Sequence, residues 1–255
     1  MNFESNVPEI EKKIGYTFRD KSLIRQAFTR ESFCNEMRRG EEYQSNEVLE
    51  FFGDSALSLA IVTKLIITKT KRYSHGIKTE LGEGDFSNIR SKLADKKNLS
   101  ENIARLGLQK YLIMGEGDAK LGIENERSVM EDLFESIIGA IYIDSDFDIN
   151  SVINAAERML DLSVYLMKTK REIQSAKNRL QEWCADKKRR LPPPVYKKIG
   201  ESGPDHDKRY TSACYVCGEE AGRGTARSIK LAEAAAASEA LVKLGIDNGA
   251  VSNAN

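Results

Sequence analysis

Residues 46–61 read NEVLEFFGDSALSLAI, an apolar run with three carboxylates set inside it. At about 100° per residue, Glu47, Glu50 and Asp54 fall within roughly one 60° arc of a helix. The pattern predicts a long helix over 45–70 with Ser45 or Asn46 as its cap. A helix this apolar must bury a face against another element. Burying several like charges beside that face is costly unless something cationic neutralises them. The stretch therefore constrains the fold, which must supply a partner, and the chemistry, which must supply positive charge.

A second acidic pair lies in MEDLFESIIGAIYID, where Asp132 and Glu135 are three apart on a helix that is otherwise apolar. If the two helices pack side by side, Glu50, Asp54, Asp132 and Glu135 converge. Clusters with only oxygen donors suit hard cations such as Mg²⁺ or Mn²⁺, and such sites with few protein carboxylates are typical of phosphoryl-transfer enzymes. Acidic pairs at this spacing more commonly mark a solvated helix face. Their position inside the most hydrophobic stretches argues against that meaning, and the chemistry alone points to a metal-dependent hydrolase.

Helical periodicity dominates to about residue 165. PEIEKKIGY is a short helix, and DKSLIRQAFTRESF is a second with Asp20 as its cap. GEGDFSNIRSKLADKKNLSENIARLG is helical with a break near Lys97 and Gly107 as C-cap. No convincing strand appears, so 1–165 is expected to be all-α. The apolar pattern thins over a linker at 166–174. The order then changes to α-β-β-β-α across 175–246, a small α+β domain, and 247–255 reads as a disordered tail. The charge balance follows this division. The net charge is zero, with 39 basic and 39 acidic residues, but from Arg171 onward there are 15 against 11, a net +4, leaving −4 on the rest. A basic nucleic-acid module joined to an acidic partner fits that asymmetry. Four cysteines, three of them scattered without disulfide-scaffold spacing, no signal-like N-terminus and no apolar segment near the ~20 residues of a membrane span lead to the expectation of a soluble protein of a reducing compartment, the cytoplasm.

NEVLEFFGDSAL resembles the signature of the ribonuclease III family, N-E-x-L-E-F-x-G-D-S, matching it at Asn46, Glu47, Leu49, Glu50, Phe51, Gly53, Asp54 and Ser55. EDLFESIIGAIYID resembles the family's second acidic motif, EGDFSNIRSKL its third segment, and the chain from 171 a double-stranded RNA-binding domain. The resemblance implies an endonuclease that hydrolyses double-stranded RNA with Mg²⁺ (Mn²⁺ substituting). It implies 5′-phosphates, short 3′ overhangs, and a role in processing ribosomal and other structured RNA precursors. By the same resemblance Glu50, Asp132 and Glu135 hold the metal, and Asp54 organises the attacking water. Glu135 is catalytic as well as ligating, and Glu47 and Glu83 are auxiliary. Phe51 inserts into a pocket of a second subunit, because a homodimer with one cut per strand is implied. The family's T-H-x-S segment here reads TRES. Arg30 stands in the histidine's place, where it is expected to alter packing or a dimer contact and not the chemistry. The rival is a non-catalytic RNA-binding or ribosome-associated protein with a retired nuclease domain, which would be expected to have lost these acids.

Double-stranded RNA presents phosphates and 2′-hydroxyls across a shallow minor groove, so its binder needs spaced contacts on one face. Three segments could supply them. They are Asn178 and Gln181 on the first helix of the second domain, His206 in the loop GPDHDKR, and Arg227, Ser228 and Lys230 at the start of the last helix. The family's pair of adjacent lysines is here Ile229–Lys230, so weaker phosphate binding is expected. Cys214 and Cys217 form a C-x-x-C without a second ligand pair and read as strand residues. GEGDAKLG follows no strand, so it reads as an exposed turn, and no nucleotide cofactor is expected.

Overall fold

Apolar residues at helical spacing account for nearly all of the first unit. The structure is a computed structural model that describes residues 3–37, 43–160, 162, 175–204 and 207–247. The chain divides into two compact units, Met1–Lys168 and Thr169–Asn255. The expected linker at 166–174, His206 and residues 248–255 lie outside the described residues.

In the first unit, α1 (Val7–Ile14), α2 (Lys21–Ala27) and α3 (Glu31–Glu36) precede the long α4 (Glu47–Lys69). A short antiparallel hairpin, β1 (Lys71–Tyr73) and β2 (Gly76–Lys78), follows. Then come α5 (Glu83–Leu93), α6 (Lys96–Leu106), α7 (Glu116–Leu121), α8 (Arg127–Asp144) and α9 (Ile149–Leu160). Asp20 caps α2 by accepting from Ser22 N at 2.8 Å, and Asp95 caps α6 by accepting from Lys97 N at 3.1 Å. Gly107 ends α6 at φ 61°. The core is built on α8, where Leu133, Phe134, Ile137, Ile138 and Ile141 are fully buried. At its C-terminus the buried Asp144 accepts from Tyr16 Oη and from Arg19 N and Asp20 N, which fastens the loop between α1 and α2.

Four elements differ from the sequence reading. The helix expected through DKSLIRQAFTRESF is broken at residues 28–30, because Thr29 forms a parallel bridge with Ile113 and Arg30 N donates to Ile113 O at 2.8 Å. The GEGDAKLG segment contains the short helix α7 instead of only a turn. One hairpin of three-residue strands interrupts the otherwise helical unit. Finally, α4 is long and apolar enough, by length and composition alone, to cross a membrane. It is only half a core helix: Leu49, Ala56, Leu57, Ala60, Ile61 and Leu65 are buried, while Val48, Phe51, Phe52, Leu59, Ile66 and Ile67 are exposed.

The second unit runs α10 (Ala176–Ala185), β3 (Val195–Ser202), β4 (Arg209–Val216), β5 (Glu219–Ala226) and α11 (Ile229–Lys243). The strands form one antiparallel sheet in the order β3-β4-β5. Its core joins Leu180 and Cys184 of α10, Cys214 and Val216 of β4, and Ala236, Ala237, Ala240 and Leu241 of α11. The alanine-rich sequence of α11 has a steric reason. A methyl group at Gly222 or Gly224 would overlap the α11 backbone at Ala236, so small residues on both elements let helix and sheet meet closely. Cys214 is buried and Cys217 exposed in the β4–β5 turn. Asp247, expected to open the tail, is fixed by Arg179 at 2.7 Å.

Candidate active site

The carboxylates owe their position to two glycines. A methyl group at Gly53 of α4 would overlap the carbonyl oxygen of Glu135, and one at Gly139 of α8 would overlap that of Leu49. Only glycine lets the helix backbones approach this closely. The crossing sets Glu47, Glu50 and Asp54 of α4 beside Glu131, Asp132 and Glu135 of α8. Glu50, Asp132 and Glu135 are half-buried, and Glu47 and Asp54 are exposed. Glu131 was not singled out in the sequence; the adjacent Glu-Asp pair was its only signal.

The cluster is short of positive charge. Burial pushes the Glu135 carboxyl up from 4.5 to about 8, and repulsion from Asp54, Glu131, Glu50 and Asp132 adds to the effect. Burial likewise raises Glu50, with Asp132, Glu47 and Glu131 contributing and Arg30 offsetting in part. Asp132 is raised by burial and held back by Arg30 and Lys96. The nearby cations are Lys96, 2.6 Å from Glu131, and Arg30, whose Nη1 lies 4.0 Å from Asp132. Arg30, expected to alter packing or a dimer contact, thus stands beside Asp132.

Among the described residues no three Asp, Glu, His or Cys side chains stand close enough to hold an ion as they are. The donor set nevertheless fits a hard divalent cation: it is all carboxylate, crowded and under-neutralised. Glu83 is exposed in the first turn of α5, where it accepts from Ser87 Oγ at 3.3 Å, and it is not among the main groups that perturb Glu50, Asp132 or Glu135. Phe51, beside Glu50 in sequence, is 72 % exposed.

In the second unit Asn178 and Gln181 are exposed on α10. Ser228 caps α11, accepting from Leu231 N at 3.3 Å, so its hydroxyl already has a local role. Arg227 is exposed and pairs with Asp207 at 3.2 Å. Lys230 is exposed and, among the described residues, forms no ion pair. Among the described residues, the resulting surface carries polar groups and, at Lys230, one uncommitted cation on the two helices of this unit.

An acid-lined helical unit joined to an α-β-β-β-α module has the build of an endonuclease acting on double-stranded RNA. Residues 20–179 match the family described as ribonuclease-III-like, and residues 176–244 match the double-stranded RNA binding motif. Ribonuclease 3 of Protochlamydia amoebophila is 36% identical over 242 residues, covering 93% of this chain and 91% of the relative. Ribonuclease 3 of a Listeria monocytogenes strain is 32% identical over 242 residues, covering 92% and 96%. The solved nuclease domain of ribonuclease III from Campylobacter jejuni, described in terms of flexibility in its dimer-forming region, aligns with a TM-score of 0.50 at 26% identity. It covers 61% of this chain and 99% of that domain. The chain belongs to the ribonuclease III family. It is a double-stranded-RNA-specific endoribonuclease, and membership implies dependence on a divalent cation.

Proposed function

We propose that Glu50, Asp132 and Glu135 hold Mg²⁺, with Mn²⁺ able to substitute, and that Asp54 orients the water that attacks the scissile phosphodiester. The observation that carries this reading is the half-buried Glu135, raised to about 8 by its burial and by four acids around it. A bound divalent ion supplies a lowered pKa for water and neutralises charge on the phosphate. The chain's own residues do the rest. The Gly53–Gly139 crossing fixes the carboxylates of α4 relative to those of α8. Asp54, exposed beside the cluster, can accept a hydrogen bond from a water approaching from solvent. Products carry 5′-phosphates and short 3′ overhangs, and the substrates are ribosomal and other structured RNA precursors of the cytoplasm. Asn178, Gln181, His206, Arg227 and Lys230 contact the duplex, with Ser228 placing the last two through its cap. Glu47 and Glu83 are auxiliary.

The active form is a homodimer, in which two sites cut the two strands. Val48, Phe51, Phe52, Leu59, Val62 and Ile66 lie along α4 with the spacing of one helix face and are all exposed. An apolar stripe of that length suits an interface. Beside it, a cavity of about 290 Å³ lined by Val62, Leu65, Ile66, Ile77 and Phe86 offers room for an aromatic side chain such as a second copy's Phe51. The functional test is incubation of a long RNA duplex with the full chain. Cleavage with Mg²⁺ that stops on EDTA and returns with excess Mg²⁺ is expected. Binding without any cleavage would favour the non-catalytic rival.

A further inference from the structure

Arg30 reaches the acidic cluster at Asp132, and Lys96 reaches it at Glu131. Its backbone is fixed, since Thr29 bridges Ile113 and Arg30 N donates to Ile113 O. Its Nε lies 3.4 Å from Asp118 Oδ2. Asp118 is itself held, accepting from Ser32 Oγ at 2.6 Å, and Ser32 Oγ accepts in turn from Gly115 N at 3.1 Å. The third leg is different. Nη1 is 4.0 Å from Asp132 Oδ2, beyond hydrogen-bond length, so this contact is a charge pairing that can be broken without disturbing the other two. All three side chains are mostly sheltered, at 22, 24 and 30 % exposure for Arg30, Asp118 and Asp132, so solvent screens the pairing only in part.

We propose that Arg30 is a positioning residue that competes with the divalent cation for Asp132, steadying the ion-free cleft and setting the ion concentration at which the site loads. This rests on the reading that Asp132 is a metal ligand. A cation entering at Asp132 replaces the guanidinium as that carboxylate's counter-charge and meets a like charge beside it. Arg30 therefore stabilises the ion-free protein and weakens ion binding by the same interaction, as linkage requires. Asp118 moderates the competition by drawing part of the guanidinium's charge to itself.

The test uses the full-length protein and Mn²⁺ as the probe, with calorimetric titration and melting temperature as readouts, independent of cleavage. Arg30→Ala should melt lower without ion, bind Mn²⁺ roughly tenfold more tightly, and lose its melting deficit at saturating Mn²⁺. Asp118→Asn should act in the opposite direction and weaken Mn²⁺ binding, because Arg30 is then freed to pair with Asp132. Arg30→Lys keeps the charge and should stay near wild type, and it carries the test together with Asp118→Asn if the alanine variant does not fold. An Arg30→Ala protein with unchanged Mn²⁺ affinity and an equal melting deficit with and without ion would overturn the proposal, as would a lysine variant that behaves like alanine. Asp132→Asn separates the two claims. If it leaves wild-type Mn²⁺ binding intact, the ligand assignment falls and the Arg30 proposal with it. If it abolishes binding while Arg30→Ala changes nothing, only the Arg30 proposal falls.

Discussion

A half-buried carboxyl beside four others binds its proton more tightly in the folded chain than in the unfolded one. For Glu135 the folded value is about 8 against an ordinary 4.5. Between those values the native state carries more protons than the unfolded state, so stability falls as pH rises through the window. Melts of the full chain in chelator should therefore lose stability from pH 5.5 to pH 8, and Glu135→Gln should flatten the decline. A melting temperature independent of pH in the wild type would contradict the electrostatic account. At this scale much of the acidic cluster was legible in the sequence. Glu50, Asp54, Asp132 and Glu135 interrupt apolar runs at helical spacing, which is a local pattern. Glu131, Asp118 and the placement of Arg30 were not legible, because each depends on which element packs opposite, and no spacing within one segment reports that.

Between elements, the α4–α8 crossing governs the geometry of the acids. Gly53→Ala would force its methyl group against the backbone at Glu135, which cannot swing aside as a flexible side chain can. A destabilisation of about 1–3 kcal/mol is expected from such overpacking, together with reduced cleavage as the carboxylates are pushed apart. Gly84→Ala is the control. Gly84 lies in α5 with nothing within 4 Å of an added methyl group, so helix propensity should leave the protein as stable or up to about 1 kcal/mol more so. Equal effects at the two glycines, read by denaturant melts, would remove the steric argument. Long helices and the α-β-β-β-α element order of the second unit were readable from periodicity and turn residues. The break at residues 28–30 was not, because a tertiary bridge to Ile113 overrides a sequence that is locally helical. The β1–β2 hairpin, with three residues per strand, is too short for alternation to show.

For the whole molecule, the sequence hid a distinction that burial reveals. The apolar run of α4 reads as one core helix, yet one face packs on α8 and the other, from Val48 to Ile67, is exposed. Periodicity reports that a surface is apolar, not whether its partner is the same chain or another. The dimer reading predicts that the wild type sediments as a dimer at micromolar concentration and that Phe51→Ala shifts it toward monomer. A large-to-small change at a packed site costs about 3–5 kcal/mol, and a monomeric wild type would contradict the assignment. The proposed division of labour gives the chemistry to the carboxylates at the crossing and most of the grip on RNA to the second unit. It is tested most directly by single-turnover cleavage of a labelled RNA duplex by wild type and Glu135→Gln, with duplex affinity measured on the same preparations. Near-wild-type affinity and a cleavage rate at least about 10²-fold lower are expected in the variant, on the scale of losing a positioned catalytic group. A folded Glu135→Gln protein that cuts as fast as wild type would contradict it.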